Sequence, residues 1–273
     1  MSAGFSLGVA GGVGLLRIER AEKRNALDAA MTEELFALCR RIERDEAIDV
    51  VILTGTGRTF CAGGDIDAWS TQRPEDFARH WLRNGHDAFD ALARLRQPVI
   101  AVLNGHALGG GLELAACADY RIAEAHVKIG LPEAGLGIIP GWSGTQRTVR
   151  RFGAQVVRRM ALFGEIFGAE EARALGLVDA LAETGDGLAA AGALAQRLQG
   201  RGPLATELVK MLINTAEGEE GGRAIEAIAG RLAAGSVQLQ EGLSAFRDKR
   251  APRFRSVAPG EVSPVEKVSP EEE

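Results

Sequence analysis

Short continuous apolar runs alternate with amphipathic stretches through the first half of the chain. Val13 to Ile18 reads as a strand. Asp28 then stands as a candidate N-cap ahead of Met31, Leu35, Leu38 and Ile42, which fall on one stripe of a helix. Val50-Val51-Ile52-Leu53-Thr54 is β-branched and lacks polar alternation, which suits a strand buried on both faces. Pro74 to Leu95 carries a helical pattern of about 20 residues, and Pro98 leads into a second buried run, Val99 to Leu103. The order β, α, β, α, β predicts an α/β fold with a parallel sheet and crossover helices.

Beyond Leu114 the apolar segments shorten, at Tyr120 to Ala123 and Val127 to Ile129, before a proline- and glycine-rich loop from Leu131 to Gly144. From Ala154 the pattern is helical, at Ala169 to Ala174, Gly187 to Leu198, Leu204 to Ala216 and Arg223 to Arg247. Residues 1–199 therefore read as a core and 200–255 as a helical C-terminal region. Residues 256–273, rich in Pro, Ser and Glu, read as a flexible tail.

Composition narrows the class. A chain of 273 residues with 46% hydrophobic and 25% charged positions has the make-up of an ordinary globular protein. Its formal net charge of −5 offers no general attraction to nucleic acid or to an anionic membrane, and neither partner is expected. Cys39, Cys61 and Cys117 are an odd number at unpatterned spacings, against a disulfide framework or a zinc site. The first residues lack the charged and apolar regions of a signal peptide, and no run is long enough to span a bilayer, so the expected location is the cytoplasm.

Two segments share a design: Thr54 to Ile66 and Leu103 to Leu114 each lead from a buried strand through a glycine-rich turn to a helix. The first contains Cys61-Ala62-Gly63-Gly64-Asp65 and the second Gly109-Gly110-Gly111-Leu112-Glu113. Glycines let a ligand approach the main chain, and helix starts present N–H groups without internal partners. Gly64 and Gly110 are thus candidate donors to an oxyanion, although tight helix–strand packing demands glycine equally well. Glu113 and Glu133, the latter within Leu131-Pro132-Glu133-Ala134-Gly135, are candidate acid and base. Alone, a glutamate in the first turn of a helix is most often a macrodipole or capping partner, and this applies to each. Their coincidence beside two such turns favours chemistry.

Other signals fall away. Gly8 to Gly14 precedes a strand where a dinucleotide fingerprint comes after one. Gly141-Trp142-Ser143-Gly144-Thr145 lacks the last glycine of a nucleophile elbow, so Ser143 reads as an N-cap for a helix from Thr145 to Arg150. His80, His86, His106 and His126 lack ligand spacing, with His106 alone near a glycine turn. Basic clusters at Arg147, Arg150, Arg151, Arg158 and Arg159, and at Arg247, Lys249, Arg250, Arg253 and Arg255, are solvated faces or phosphate contacts, and Arg24 is a third candidate.

From Val13 to Phe254 the chain resembles the crotonase superfamily, in particular the enoyl-CoA hydratases. The carriers are Lys23-Arg24-Asn25-Ala26-Leu27, Phe60-Cys61-Ala62-Gly63-Gly64-Asp65-Ile66, Pro98 to Gly105, Ala107 to Leu114, and Leu131-Pro132-Glu133 through Gly144-Thr145-Gln146-Arg147. The resemblance implies a spiral of ββα units with a helical C-terminal region, assembled as a homotrimer or a dimer of trimers. It implies an acyl-CoA thioester whose carbonyl oxygen meets the N–H groups of Gly64 and Gly110. The CoA path would take in Arg24, Ala26, Ala62, Gly64, Asp65, Ile66 and Asp67. Phe246 to Arg250 resembles a Phe-x-x-Lys-Arg segment, which makes Lys249 a CoA contact. Hydratases of this family use two glutamates on one water, here Glu113 and Glu133, and no cofactor beyond the CoA of the substrate. A Δ3,Δ2-enoyl-CoA isomerase, which needs one carboxylate, and a noncatalytic CoA- or RNA-associated paralogue are the alternatives. The segment Ile66 to Trp81 resembles the family's variable acyl-pocket wall and carries Trp69 and Trp81, while Trp142 stands in a loop where smaller residues also occur in relatives; the bulk implies selectivity for an unspecified acyl chain.

Overall fold

Gly11 and Gly12 both adopt positive φ, 55° and 78°, the two-residue turn that matches the twist of an antiparallel pair. They join strand β1 (Phe5–Ala10) to β2 (Val13–Ile18), with Ala10 opposite Val13. Strand β1 escapes the sequence pattern because only Phe5 of it is buried. The computed structural model describes residues 4–254, and the proposed tail lies outside the described residues.

The remaining strands are β3 (Val50–Gly55), β4 (Thr59–Cys61), β5 (Val99–Leu103), β6 (His106–Leu108), β7 (Tyr120–Glu124), β8 (Lys128–Gly130), β9 (Phe167–Gly168) and β10 (Ala180–Ala182). A large sheet has the order β1-β2-β3-β5-β7-β10 and a small one the order β4-β6-β8-β9. From β2 to β10 the large sheet is parallel, as the alternating pattern predicts. Each unit sends one strand into the large sheet, a short strand into the small sheet and then a helix. The ββα spiral implied by the resemblance is therefore repeated at β3–β4, β5–β6 and β7–β8.

Strand β3 is buried on both faces because it divides two cores. Val51 and Leu53 join the main core with Met31, Leu35, Cys39 and Ile42 of the helix Ala29–Arg44, whose start is capped by the Asp28 carboxylate accepting the Met31 N–H at 3.0 Å. Val50 and Ile52 face Ala191 and Ala195 of the helix Gly187–Gln199. The amphipathic stretch from Pro74 is helical to Ala93, but Phe77–Leu82 winds as a π-helical turn that shifts the register of the helix Arg83–Ala93.

Three local expectations are corrected. Ser143 is not an N-cap: it has φ 75° and the helix begins at Arg147. The region after Ala154 is not wholly helical, since β9 and β10 complete the two sheets. The stretch from Arg223 to Arg247 is two helices, Gly222–Ala234 and Val237–Arg247, the second capped by Ser236. The described residues form two compact units, the first ending at Glu220 and the second beginning at Gly221. Helix Pro203–Ala216 belongs to the first, tied by Lys210 Nζ to Asp119 Oδ2 at 2.6 Å and by Asn214 Nδ2 to the Ala93 carbonyl at 3.2 Å.

Candidate active site

Neighbouring strands of the small sheet deliver the glycine turns and both glutamates to one place. The order β4-β6-β8 sets the turn after Cys61, the turn after Leu108 and the loop after Gly130 side by side. The turns touch. A Cβ at Gly63 would lie 3.1 Å from the Leu108 carbonyl oxygen and 3.2 Å from the Gly110 nitrogen, and one at Gly111 would overlap the Cys61 carbonyl. Gly63 (φ 103°) and Gly109 (φ 55°) also hold backbone conformations that side chains oppose. A parallel bridge between Leu27 and Gly64 uses the N–H groups of Leu27 and Asp65, which leaves that of Gly64 outside the ladder. Gly110 opens the helix Gly110–Ala115, where an N–H has no acceptor within the helix.

Glu113 lies one turn into that helix and is only 3% exposed. Its Oε1 accepts the N–H groups of Trp142 and Gly144, each at 2.6 Å. Gly144 is required there, since a Cβ would stand 2.5 Å from that oxygen. Burial pushes the Glu113 carboxyl up to about 7, the Glu133 charge adds to the rise, and the N–H groups of Trp142, Gly144 and Gly141 oppose it. Glu133 begins the 3-10 turn Glu133–Leu136, with Oε1 against Gly109 and Oε2 buried without a partner. Burial pushes its carboxyl up to about 7 as well. The adjacent Cys61 thiol is driven by burial to about 12, which makes it a poor nucleophile.

Both glutamates, Gly64 and Gly110 line one cavity of about 100 Å³. Its remaining wall is apolar, formed by Trp69, Phe77, Trp81, Leu82, Trp142 and residues of the 133–139 turn. Two raised carboxyls beside free backbone donors and an apolar wall suit proton transfer next to a carbonyl.

Known proteins match this architecture. The profile of the enoyl-CoA hydratase/isomerase family covers residues 8–257. The chain belongs to that family. It is 36% identical over 245 residues to a crotonyl-CoA hydratase of Syntrophomonas wolfei, covering 89% of this chain and 94% of the relative. A short-chain-enoyl-CoA hydratase of Clostridium acetobutylicum is 36% identical over 205 residues, 75% of this chain and 78% of that one. The crystal structure of an enoyl-CoA hydratase from Bacillus anthracis superimposes with a TM-score of 0.76 at 32% identity, covering 93% of this chain and all of the other. The fold is the crotonase fold, and the protein is an enzyme of the hydratase/isomerase family.

Within this crotonase fold the other residues singled out from sequence separate into two groups. Ala62 and Ile66 line the cavity with the glycines. Asp65 does not present its carboxylate there: it caps the short helix Ile66–Trp69 and pairs with Arg20 at 2.9 Å. Asp67 is exposed and pairs with Lys23 at 2.8 Å, and the Ala26 carbonyl accepts Arg20 Nη1 at 2.9 Å. Arg24 is exposed in the left-handed conformation, its carbonyl accepting the Ala62 N–H. Lys249 is an exposed residue of the second unit, and its neighbour Arg250 is engaged by Glu241.

Two basic or histidine candidates take structural places. Arg147 is 1% exposed and bonded to Glu219 and Asp90, so it is not a solvated phosphate contact. His106 lies outside the cavity lining, its Nδ1 accepting the Lys128 N–H at 3.1 Å. Sequence reasoning missed the N–H clamp on Glu113 from Gly141 to Gly144, although the two glycines flanking Trp142-Ser143 were its visible trace. Among the described residues no three metal-ligating side chains gather, and no helix is long and apolar enough to cross a membrane.

Proposed function

We propose that the protein adds water across the α,β double bond of a 2-enoyl-CoA, giving a 3-hydroxyacyl-CoA. The observation that carries this reading is the pair of raised carboxyls, Glu113 and Glu133, lining one cavity with Gly64 and Gly110. The thioester oxygen lies between the N–H groups of Gly64 and Gly110. A donor of this kind is typically worth roughly 3–4 kcal/mol in the transition state.

The two carboxyls divide the work by their surroundings. Glu113, with N–H groups on Oε1, is favoured as the carboxylate and takes a proton from water while the water oxygen bonds to C3. The π pair of the C2–C3 bond moves toward the thioester oxygen, which gains enolate character under the two donors. Glu133, whose Oε2 has no partner to favour ionisation, is the neutral acid and gives its proton to C2. Return of the water's proton from Glu113 to Glu133 restores the site, so one water is consumed. The pair titrates as a unit.

CoA would run past Ala62, the Asp65 backbone and Ile66, with Arg24 and Asp67 near its polar end, and Lys249 of the second unit is a separate candidate CoA contact. The enzyme needs no further cofactor in this reading and works in the cytoplasm as a homotrimer or a dimer of trimers. The hydratases of S. wolfei and C. acetobutylicum support the reaction class. The test is loss of the conjugated thioester absorbance of crotonyl-CoA with Glu133→Gln and Glu113→Gln alongside. Hydration abolished in both supports the mechanism, full hydration by either variant removes that residue from it, and no turnover of enoyl-CoA by the parent despite binding of CoA esters turns the reading to an isomerase or a noncatalytic paralogue.

A further inference from the structure

Three indoles converge on the backbone that holds the thioester in the proposed reaction. A Cβ at Gly64 would lie 2.9 Å from Trp81 Cζ2, 3.5 Å from Trp142 Cη2 and 3.5 Å from Trp69 Nε1, and one at Gly110 would lie 3.0 Å from Trp142 Cζ3. Trp81 and Trp142 are 6% and 2% exposed and pack with ring centroids 5.1 Å apart. Phe89 packs against Trp142 with ring centroids 5.1 Å apart and the rings tilted by 59°.

The pair is fixed rather than merely crowded. Trp142 Nε1 donates to the Trp81 carbonyl at 3.1 Å, and its ring occupies a slot that exists only because residue 85 is glycine, where a Cβ would overlap the indole. Trp81 projects from the π-helical turn Phe77–Leu82, whose altered winding presents Phe77, Trp81 and Leu82 together to the cavity. The Trp142 main-chain N–H meanwhile donates to Glu113, which fixes the backbone from which the ring projects.

We infer that the buried Trp81–Trp142 pair is the end wall of the acyl pocket and restricts the enzyme to short enoyl chains. This inference rests on the hydratase reading above. The cavity of about 100 Å³ compares with cavities of about 150 Å³ that accept the six carbons of benzene, which scales to about four carbons here. A longer chain meets packed indole at Trp81 and Trp142, while the exposed Leu136 and Ile139 also line the cavity.

The experiment measures kcat/KM for trans-2-enoyl-CoAs from crotonyl through hexenoyl and octenoyl to decenoyl, with Trp142→Leu and Trp81→Leu beside the parent. Dissociation constants of the saturated butyryl to decanoyl esters are measured in parallel. The parent is expected to lose about ten-fold or more from the four-carbon to the eight-carbon substrate, and a variant to raise the octenoyl/crotonyl ratio by about ten-fold. A parent that turns over or binds octanoyl and decanoyl chains as well as butyryl overturns the wall, as does an unchanged ratio in both variants. If neither variant folds, the chain-length series of the parent decides by itself. If no enoyl-CoA is hydrated but butyryl-CoA binds better than decanoyl-CoA, the hydratase reading fails while the wall stands. Absence of binding by every ester overturns both.

Discussion

Replacing Glu113 by glutamine removes the proposed base and is expected to make the fold more stable at alkaline pH. Both effects come from the same burial. The carboxyl is pushed from an ordinary 4.5 to about 7, first by burial and then by the Glu133 charge. A carboxyl raised in this way binds more protons folded than unfolded between those values. Its contribution to stability therefore declines as pH rises from about 4.5 through about 7, and the loss is complete above that window. At roughly 1.4 kcal/mol per pH unit, ionised Glu113 costs the fold about 3 kcal/mol. Glutamine does not titrate, and its amide oxygen still accepts from the N–H groups of Trp142 and Gly144. Denaturant unfolding at equal protein concentration should show the variant gaining about 2–3 kcal/mol over the parent between about pH 5 and pH 8.5. Because Glu133 supplies part of the rise, Glu133→Gln should narrow the effect. A parent-to-variant difference that is the same at both pH values would refute the claim that Glu113 ionises at a cost inside the fold.

The same pair predicts a bell-shaped kcat/KM. In the proposed mechanism hydration needs one proton on the two carboxyls, so the rate should fall when both are protonated below about 7 and again when both are ionised above it. A flat profile from pH 5 to 9 would sink the division of roles. Away from the cavity, Arg147→Leu leaves the buried Glu219 with Arg150 as its remaining ion-pair partner. This should lower unfolding stability by about 3–5 kcal/mol in a urea titration. A loss under about 1 kcal/mol would show that the network contributes little.

The large sheet was legible in the sequence because Val50 to Leu53 and Val99 to Leu103 are buried on both faces and so carry no polar interruption. The Asp28 cap was legible for a local reason, its carboxylate serving the N–H three residues on. The small sheet was not, because β4, β6 and β8 are only three residues long and their pairing is set by crossovers rather than by pattern. Its ends nevertheless place the glycine turns, which were recognised from composition. Arg147 was misread because charge runs ordinarily face water, and nothing local announces the distant Glu219 that permits its burial. Ser143 was misread for a related reason: a serine before a helical pattern suggests a cap, while the contact that holds it comes from His86, whose Nδ1 lies 3.0 Å from its hydroxyl.

That last contact helps to hold the loop after β8 in a geometry that its own sequence does not favour. Ser143 adopts the left-handed region at a cost of about 1 kcal/mol or more for a residue with a side chain. This conformation places its neighbours' N–H groups on Glu113, and the same carboxylate is costly to ionise. Three anchors oppose these costs. The Ser143 hydroxyl meets His86, the Thr148 hydroxyl donates to the Gly144 carbonyl, and Arg147 fixes the helix it opens to Asp90 and Glu219. Trp142 is wedged between Trp81 and Phe89 on the other side. The segment from Ala134 to Gly137 is exposed, whereas Trp142 to Gly144 is buried. Glu133 thus sits at the start of an exposed turn and Glu113 under an anchored clamp. In the proposed reaction, the carboxylate that takes the water's proton is therefore held by an anchored loop, while the proton donor stands at the start of an exposed turn.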